Sequence, residues 1–407
     1  MSPATTTKGS TNVLDTHCQG AGLSKSTKPW SKAYRRFRQF EGLGLDSTYS
    51  IHLPRSLPPR IDLKGKNVII SGSNSGIGLE AAYVFALWGA NVILACRPNV
   101  PVYELSPADA CREIVNRGSG NIDPKQLEVW DLDLSSFKSA EELGKRWLQT
   151  GKPLDYLINN AGLSSPKYIK TEDGFELTRS VNYLGHCLLS LILLPAMKKA
   201  QAPRIVNTCS CFHYQGDLDF SNLDYEKSDG QVRGPGGVQA YCDTKLQHLM
   251  WTKELQVRLS ESDEYRHVVV NGVHPGFIGS NIWKAPGISD LAWPQPQLLN
   301  WLVSSLSVST QQGSLCLLYG ALHPSFGLRP SELEKLPKNA SANTAIAKGL
   351  TAQVGGHYIQ RDRAEIPRPE CSDRLARSRL WQRTLEDIKA EQRGLASDLP
   401  GHPVDLF

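Results

Sequence analysis

The chain has 407 residues, 40% of them hydrophobic, with 45 Lys and Arg against 40 Asp and Glu. That is enough apolar material for the core of one large soluble domain, and a formal charge of +5 is too small to mark the whole chain as a nucleic-acid binder. The nine cysteines show no Cys-x-x-Cys pairing, and Cys209 and Cys211 form only a Cys-x-Cys; neither a disulfide framework nor a metal site is expected, and a reducing, cytoplasmic compartment is the default.

The first sixty residues differ in kind from the rest. They hold nine Lys and Arg against three Asp and Glu, a local balance of +6 that accounts for the whole formal charge. Residues 1–29, rich in Ser, Thr, Gly and Lys, are expected to be disordered. Trp30, Tyr34, Phe37 and Phe40 then recur at helical spacing, with Lys32, Arg35, Arg36 and Arg38 between them. Three readings stay open: a helix docked on the chain's own domain, a peripheral membrane contact through residues 30–40, and a basic, serine-bearing mitochondrial transit segment. No N-terminal apolar segment resembles a secretory signal, and Leu53 to Pro59 reads as a stiff linker. The expected organisation is a basic extension over 1–60, one domain over 61–395 and a tail over 396–407.

Asn67 to Ser71 reads as a buried strand, Gly72-Ser-Asn-Ser75-Gly76-Ile77-Gly78 as a tight turn, and Leu79 to Trp88 as a helix. In that order the glycines let backbone approach a pyrophosphate and aim helix N-terminal N–H groups at its charge. The spacing is Gly-x-x-x-Gly-x-Gly, not the Gly-x-Gly-x-x-Gly fingerprint, so context carries the reading. A second strand, Asn91 to Cys96, is followed by Arg97. An acid at that strand end would suit a ribose 2′-hydroxyl, whereas arginine suits a 2′-phosphate, so NADP(H) is the expected cofactor. An apolar strand, Leu154 to Ile158, leads into Asn159-Asn160-Ala161-Gly162. Cys187 to Met197, the longest mainly apolar run, is too short to span a membrane and reads as a buried helix. Alternating strands and helices predict the α/β class, a doubly wound parallel sheet in a single domain.

Further along, Arg204 to Ser210 is a predicted strand, and Tyr241 and Lys245 lie four residues apart on a predicted helix, hence on one face. An ammonium beside a phenol lowers the phenol's pKa and makes it a general acid/base, while a serine hydroxyl can hold the substrate oxygen as the proton moves. The strand Val268 to Val273 runs into His274-Pro275-Gly276-Phe-Ile278-Gly-Ser280.

Taken together these motifs resemble the short-chain dehydrogenase/reductase family, over roughly residues 60 to 390, with a Rossmann-type sheet. The nearest likeness is to the retinol dehydrogenase and WW-domain oxidoreductase branch, through Leu94-Ala-Cys-Arg97, Asn182-Tyr-Leu-Gly-His186, the Ser210 to Tyr241 spacing and His274-Pro-Gly, and to fungal members that tailor secondary metabolites. The resemblance implies that Ser210, Tyr241, Lys245 and Asn182 are catalytic, with Asn182 holding a water that connects Lys245 to solvent. It implies a cofactor site formed by Gly72, Ser75, Gly76, Ile77, Gly78, Arg97, Asp133, Asn159, Ala161, Tyr241, Lys245, Ile278 and Ser280. Asp133 can equally start the helix near Ser136. His186 and His213 are given no role, and monomer and homodimer both stay open.

Between Ser280 and Thr310 the residues Trp283, Ile288, Leu291, Trp293, Leu298, Trp301 and Leu302 imply either a lipophilic substrate pocket or a lid packed on the core. Gln215 to Gly237 is a polar insertion at the rim, Pro330 to Gly349 a variable loop, and a C-terminal helix from Asp373 packs on the domain. The activity expected is hydride transfer between a nicotinamide and a carbonyl or secondary alcohol of a lipophilic small molecule, as a ketone reductase or alcohol dehydrogenase of secondary metabolism. The alternatives are a retinol- or steroid-type dehydrogenase, a reductase of a carbon–carbon double bond, and a non-catalytic dinucleotide-binding protein. No nucleic-acid partner is expected.

Overall fold

The computed structural model describes residues 30–43, 56–228, 237–278, 307–327 and 355–395, with 397 and 399. The predicted disorder of 1–29, Ser280, the apolar stretch from Trp283 to Leu302 and the Pro330 to Gly349 loop lie outside the described residues. Eight strands form one sheet: β1 (Asn67–Ser71), β2 (Asn91–Cys96), β3 (Leu127–Asp131), β4 (Tyr156–Asn159), β5 (Arg204–Thr208), β6 (Val269–His274), β7 (Tyr358–Gln360) and β8 (Arg363–Glu365). Their order is β3-β2-β1-β4-β5-β6-β7-β8; all neighbours are parallel except β7 and β8. The order reverses between β1 and β4, which opens a crevice at the strands' carboxyl ends where doubly wound sheets bind ligands.

Both faces of the sheet are covered, because its apolar residues alternate. Ile69 points into the core beneath α4 (Phe137–Gln149), α5 (Leu177–Met197) and α6 (Val238–Glu261). Val68 and Ile70 point the other way, beneath α2 (Gly76–Leu87), α3 (Pro107–Gly118) and α7 (Thr310–Leu322). The first predicted helix starts three residues early, because two glycines of the turn form its opening turn. The strand predicted to reach Ser210 stops at Thr208, since the Ser210 hydroxyl accepts from the Phe212 N–H and turns the chain into the short 3-10 helix Cys211–Gln215.

The apolar run at Cys187 is the second half of a longer helix. α5 is 21 residues, long and apolar enough to cross a membrane, yet 89% of its apolar window is buried inside the fold. A π turn over Ser180–Leu184 interrupts it and carries Asn182. Three residues earlier, Arg179 is fully buried and bonds Asp224 at 2.7 Å, Asp387 at 2.5 Å and Gln247 at 3.1 Å. These partners come from the polar insertion, the C-terminal helix α8 (Arg374–Asp387) and α6. Asp373 caps α8, and Trp381 stacks on Trp251 of α6 at 4.2 Å.

The helix predicted at residues 30–40 is α1 (Lys32–Leu43), and it is docked on the domain. Trp30 stacks on Tyr214 at 6.1 Å, and Arg38 reaches the Tyr214 hydroxyl at 3.3 Å and Glu365 at 3.3 Å. Tyr34, Phe37 and Phe40 lie on its outer face, 44%, 55% and 49% exposed.

Arg179 joins three elements in a buried charge cluster, so removing it leaves the buried Asp224 without a guanidinium and Asp387 with Arg383 alone. Arg179→Ala should lower stability by about 3–5 kcal/mol, read as a fall in the chemical denaturation midpoint.

Candidate active site

The site begins where β1 ends. Gly72 has φ +65°, open to glycine at little cost, and a Cβ on Gly78 would collide with the Gly72 carbonyl and the Asn160 amide. Glycine at these two positions lets the turn lie flat against Ala161, leaving the N-terminus of α2, with Gly76, Ile77 and Gly78, facing the crevice. Ser75 stands at the N-cap of α2 without a side-chain capping bond. Backbone this close, opening onto helix N–H groups, fits a dinucleotide's pyrophosphate. Ile77 and Ile278 line the space beside Gly313 of α7, where a Cβ would strike the Ile278 side chain.

Several neighbours hold this cradle. The Ser71 hydroxyl accepts the Asn160 and Ala161 N–H groups at 2.9 and 3.0 Å and lies 2.9 Å from His186 Nε2. The Ser71 hydroxyl also reaches the Ile158 carbonyl at 3.4 Å, and burial draws His186 down to about 3, so the ring is neutral. Asn160, not Asn159, grips the turn, donating to the Ser71 and Gly72 carbonyls at 3.0 and 3.2 Å. The Asn159 amide turns inward, donating to Ser190 and Asn207 at 2.9 and 2.8 Å, because β4 alternates its side chains and this one faces the α5 side, which leaves its main chain toward the crevice. Asp133 accepts from the Ser135 N–H and hydroxyl, closing the tight turn before α4; Asp173, from another segment, supplies the acceptor for the Phe137 N–H.

At the end of β2, Cys96 is buried and Arg97 follows with its side chain 45% exposed. Its guanidinium is 3.7 Å from Glu104, which also accepts from Asn74 of the glycine turn at 3.2 Å. An acid therefore does stand beside this position, brought from eight residues along rather than from the strand.

On the far side of the crevice Ser210, Tyr241 and Lys245 come together. Ser210 stands close enough to Tyr241 to act on its phenol, and the Phe212 ring meets Tyr241 edge-on at 5.7 Å. Lys245 is buried, its Nζ 2.8 Å from the Thr208 carbonyl and 5.4 Å from the Tyr241 ring centre. Asn182 clasps Leu163 by both its main-chain groups at 2.8 Å and donates to Thr244 at 3.3 Å. A Cβ on Gly162 would lie 3.2 Å from Asn182 Oδ1 and 3.7 Å from Lys245 Nζ, so Asn182, Lys245 and the 161–163 segment meet at one point. The Asn182 side chain is thus a backbone clamp.

The electrostatics also differ from expectation. Burial pushes the Tyr241 phenol up, against the opposing pull of Ser210, and draws the Lys245 ammonium down to about 8. The expected depression of the phenol is absent because the ammonium is turned to the Thr208 carbonyl and is itself desolvated. His213 donates from Nδ1 to the Ser210 carbonyl at 2.7 Å and so braces the serine turn. Ser71, Asn160 and Glu104 were given no role from sequence, and His213 was named but set aside; serine at the last position of the first strand, with a histidine four residues after Asn182, was the available signal.

Comparison with known proteins agrees with this geometry. A family model described as short chain dehydrogenase matches residues 66–220. Mouse "Retinol dehydrogenase 11" is 38% identical over 345 residues, covering 85% of this chain and 89% of its own, and human "Retinol dehydrogenase 13" is 33% identical over 334 residues, covering 82% and 88%. The chain belongs to the short-chain dehydrogenase/reductase family. It is an oxidoreductase of that family, acting between alcohol and carbonyl with a nicotinamide dinucleotide. A crystal structure of a putative uncharacterized protein from Mycobacterium paratuberculosis, 23% identical with TM-score 0.52 over 82% of this chain and 96% of that one, shares the fold.

Folding lowers the Lys245 pKa from 10.5 to about 8. Between those values the unfolded chain holds a proton the folded chain has lost, so stability rises with pH across that window and the buried charge costs most below it. Without added cofactor, Lys245→Met should therefore raise the denaturation midpoint at pH 7, and the gain should shrink as the pH is taken from 8 to 10.5.

Proposed function

We propose that the chain is an NADP(H)-dependent enzyme interconverting a ketone or aldehyde and its alcohol on a lipophilic small molecule. The observation that carries the reading is the convergence of Ser210, Tyr241 and Lys245 beside the glycine cradle. Bound there, the dinucleotide supplies or accepts the hydride at its nicotinamide. The Ser210 hydroxyl would donate to the carbonyl oxygen, and the Tyr241 phenol, kept protonated by burial, would give its proton to that oxygen as negative charge grows on it. Lys245 would hold the nicotinamide ribose, Gly72 to Gly78 the pyrophosphate, and Arg97 a 2′-phosphate, released for that purpose from its long contact with Glu104.

Two substrate classes fit. The likeness to relatives named retinol dehydrogenases favours a retinoid- or steroid-type substrate; a ketone in a secondary-metabolite tailoring pathway remains our second reading, resting on the motif likeness alone. The deciding experiment is fluorescence titration with NADPH and NADH, followed by turnover of all-trans-retinal and cyclic ketones. NADPH should bind tighter, Arg97→Ala should remove most of that preference, and Tyr241→Phe should abolish turnover while leaving NADPH affinity within about twofold. Equal affinity for both dinucleotides would overturn the Arg97 assignment, and a Tyr241→Phe variant retaining most of its rate would sink the mechanism.

We also propose that the outer face of α1 rests on an anionic membrane surface. Tyr34, Phe37 and Phe40 form an exposed aromatic stripe beside Lys32 and Arg36, the pairing of apolar and cationic groups that interfacial helices use. The chain should float with vesicles of phosphatidylcholine and phosphatidylserine, and Phe37→Ser with Phe40→Ser should stay in the soluble fraction. Equal flotation of both would refute the contact.

A further inference from the structure

The N-terminal helix ends against the two segments that carry the chemistry. Gly42, the buried residue of α1, lies on Cys211, where a Cβ would collide with the Cys211 Cβ. Cys211 follows Ser210 directly. The last carbonyls of a helix have no partner within it and must find one elsewhere. Here the Gly42 carbonyl accepts from His274 Nε2 at 2.8 Å, and the Glu41 carbonyl accepts from Arg361 at 3.4 Å. His274 is buried at the end of β6, immediately before the Pro275–Ile278 loop, and because a carbonyl can only accept, the contact fixes the proton on Nε2. At the helix's other end Trp30 stacks on Tyr214, and the Arg38 guanidinium lies 5.6 Å over that same ring. The short turn Cys211–Gln215 is thereby gripped at both its ends, Cys211 by Gly42 and Tyr214 by Trp30 and Arg38.

We infer that α1 is a positioning element of the active site: it sets the Ser210 turn and the start of the 274–278 loop relative to each other. Its catalytic consequence rests on the proposed reaction. Residues 30–43 precede the region matched by the family model. A displacement of about 1 Å in a positioned group can cost on the order of a hundredfold in rate, and a methyl at Gly42 must move either the helix or the serine turn.

The test is Gly42→Ala in the full chain, with Cys211→Gly as second-site relief, read by two measurements. Hydrogen–deuterium exchange of peptides covering 209–215 and 272–277 should rise in Gly42→Ala. With all-trans-retinal and NADPH, kcat should fall about ten- to a hundredfold while NADPH affinity stays within about twofold. Gly42→Ala with Cys211→Gly should regain most of both. Should Gly42→Ala fail to fold, His274→Phe, which removes the donor to the Gly42 carbonyl, takes its place with the same expected changes. Exchange that rises only within α1, or a kcat that holds while the turn loosens, overturns the inference. If the wild-type chain reduces no carbonyl probe, the proposed reaction is what fails, and exchange alone decides whether α1 positions the turn.

Discussion

A long helix whose inner face is polar is buried at low cost only where its polar groups find partners, and at four positions α6 imposes that constraint on its neighbours. Gln247 accepts from Arg179 of α5. Thr252 accepts from Asn207 of β5 at 2.8 Å, Glu254 pairs with Arg377 of α8 at 3.1 Å, and Gln256 accepts the Val270 N–H of β6 at 2.7 Å. Each bond has one geometry, so α5, the sheet and the C-terminal helix are all registered against one element. The same helix carries Tyr241 and Lys245 one turn apart, and the distance of both from Ser210 on the β5 side follows from that registration. Asp243, between them, extends it to the pocket rim: Asp217 N–H, the Gln239 amide and the Tyr225 hydroxyl all donate to its carboxylate.

The catalytic end of this helix works against stability. Lys245 is held in the interior by the Thr208 carbonyl, with neutral histidines at 186 and 248 stacked 5.6 Å apart. Protonated rings there would add like charge to a buried ammonium, and burial keeps both well below their ordinary range. The arrangement leaves the lysine poorly solvated and ready for a partner from the crevice side, which is where a bound ribose would stand. Sites tuned for function are commonly strained in this way and offset by packing elsewhere.

Much of this was legible in the sequence, and the residues that were not share a cause. Strand–turn–helix order at Asn67 to Leu87, the Tyr241 and Lys245 spacing, and the apolar run of α5 are local patterns, and the structure places them as the pattern predicts. Sequence-local reasoning failed where a partner arrives from far along the chain. Asp173 supplies the acceptor for the first N–H of α4 that Asp133 was a candidate to supply, and Glu104 brings to Arg97 the acid that β2 lacks. Asn159 and Asn160 are adjacent and chemically identical; only the pleat of β4 decides that the second faces the glycine turn. The upward shift at Tyr241 was equally unreadable, because it depends on how completely the phenol and its lysine are desolvated.

The N-terminal helix brings these points together. Twelve residues are too few to hold a helix in water without tertiary contacts, so α1 exists because Trp30, Arg38 and Gly42 dock it and because His274 and Arg361 receive its final carbonyls. Its formation and the order of the Ser210 turn are therefore parts of one equilibrium, and free energy supplied at one appears at the other. The outer aromatic stripe stays half exposed at Tyr34, Phe37 and Phe40 while α1 is docked. Any surface that binds the stripe in its helical form stabilises the docked state by mass action, which makes the serine turn more ordered when that surface is present than when it is absent.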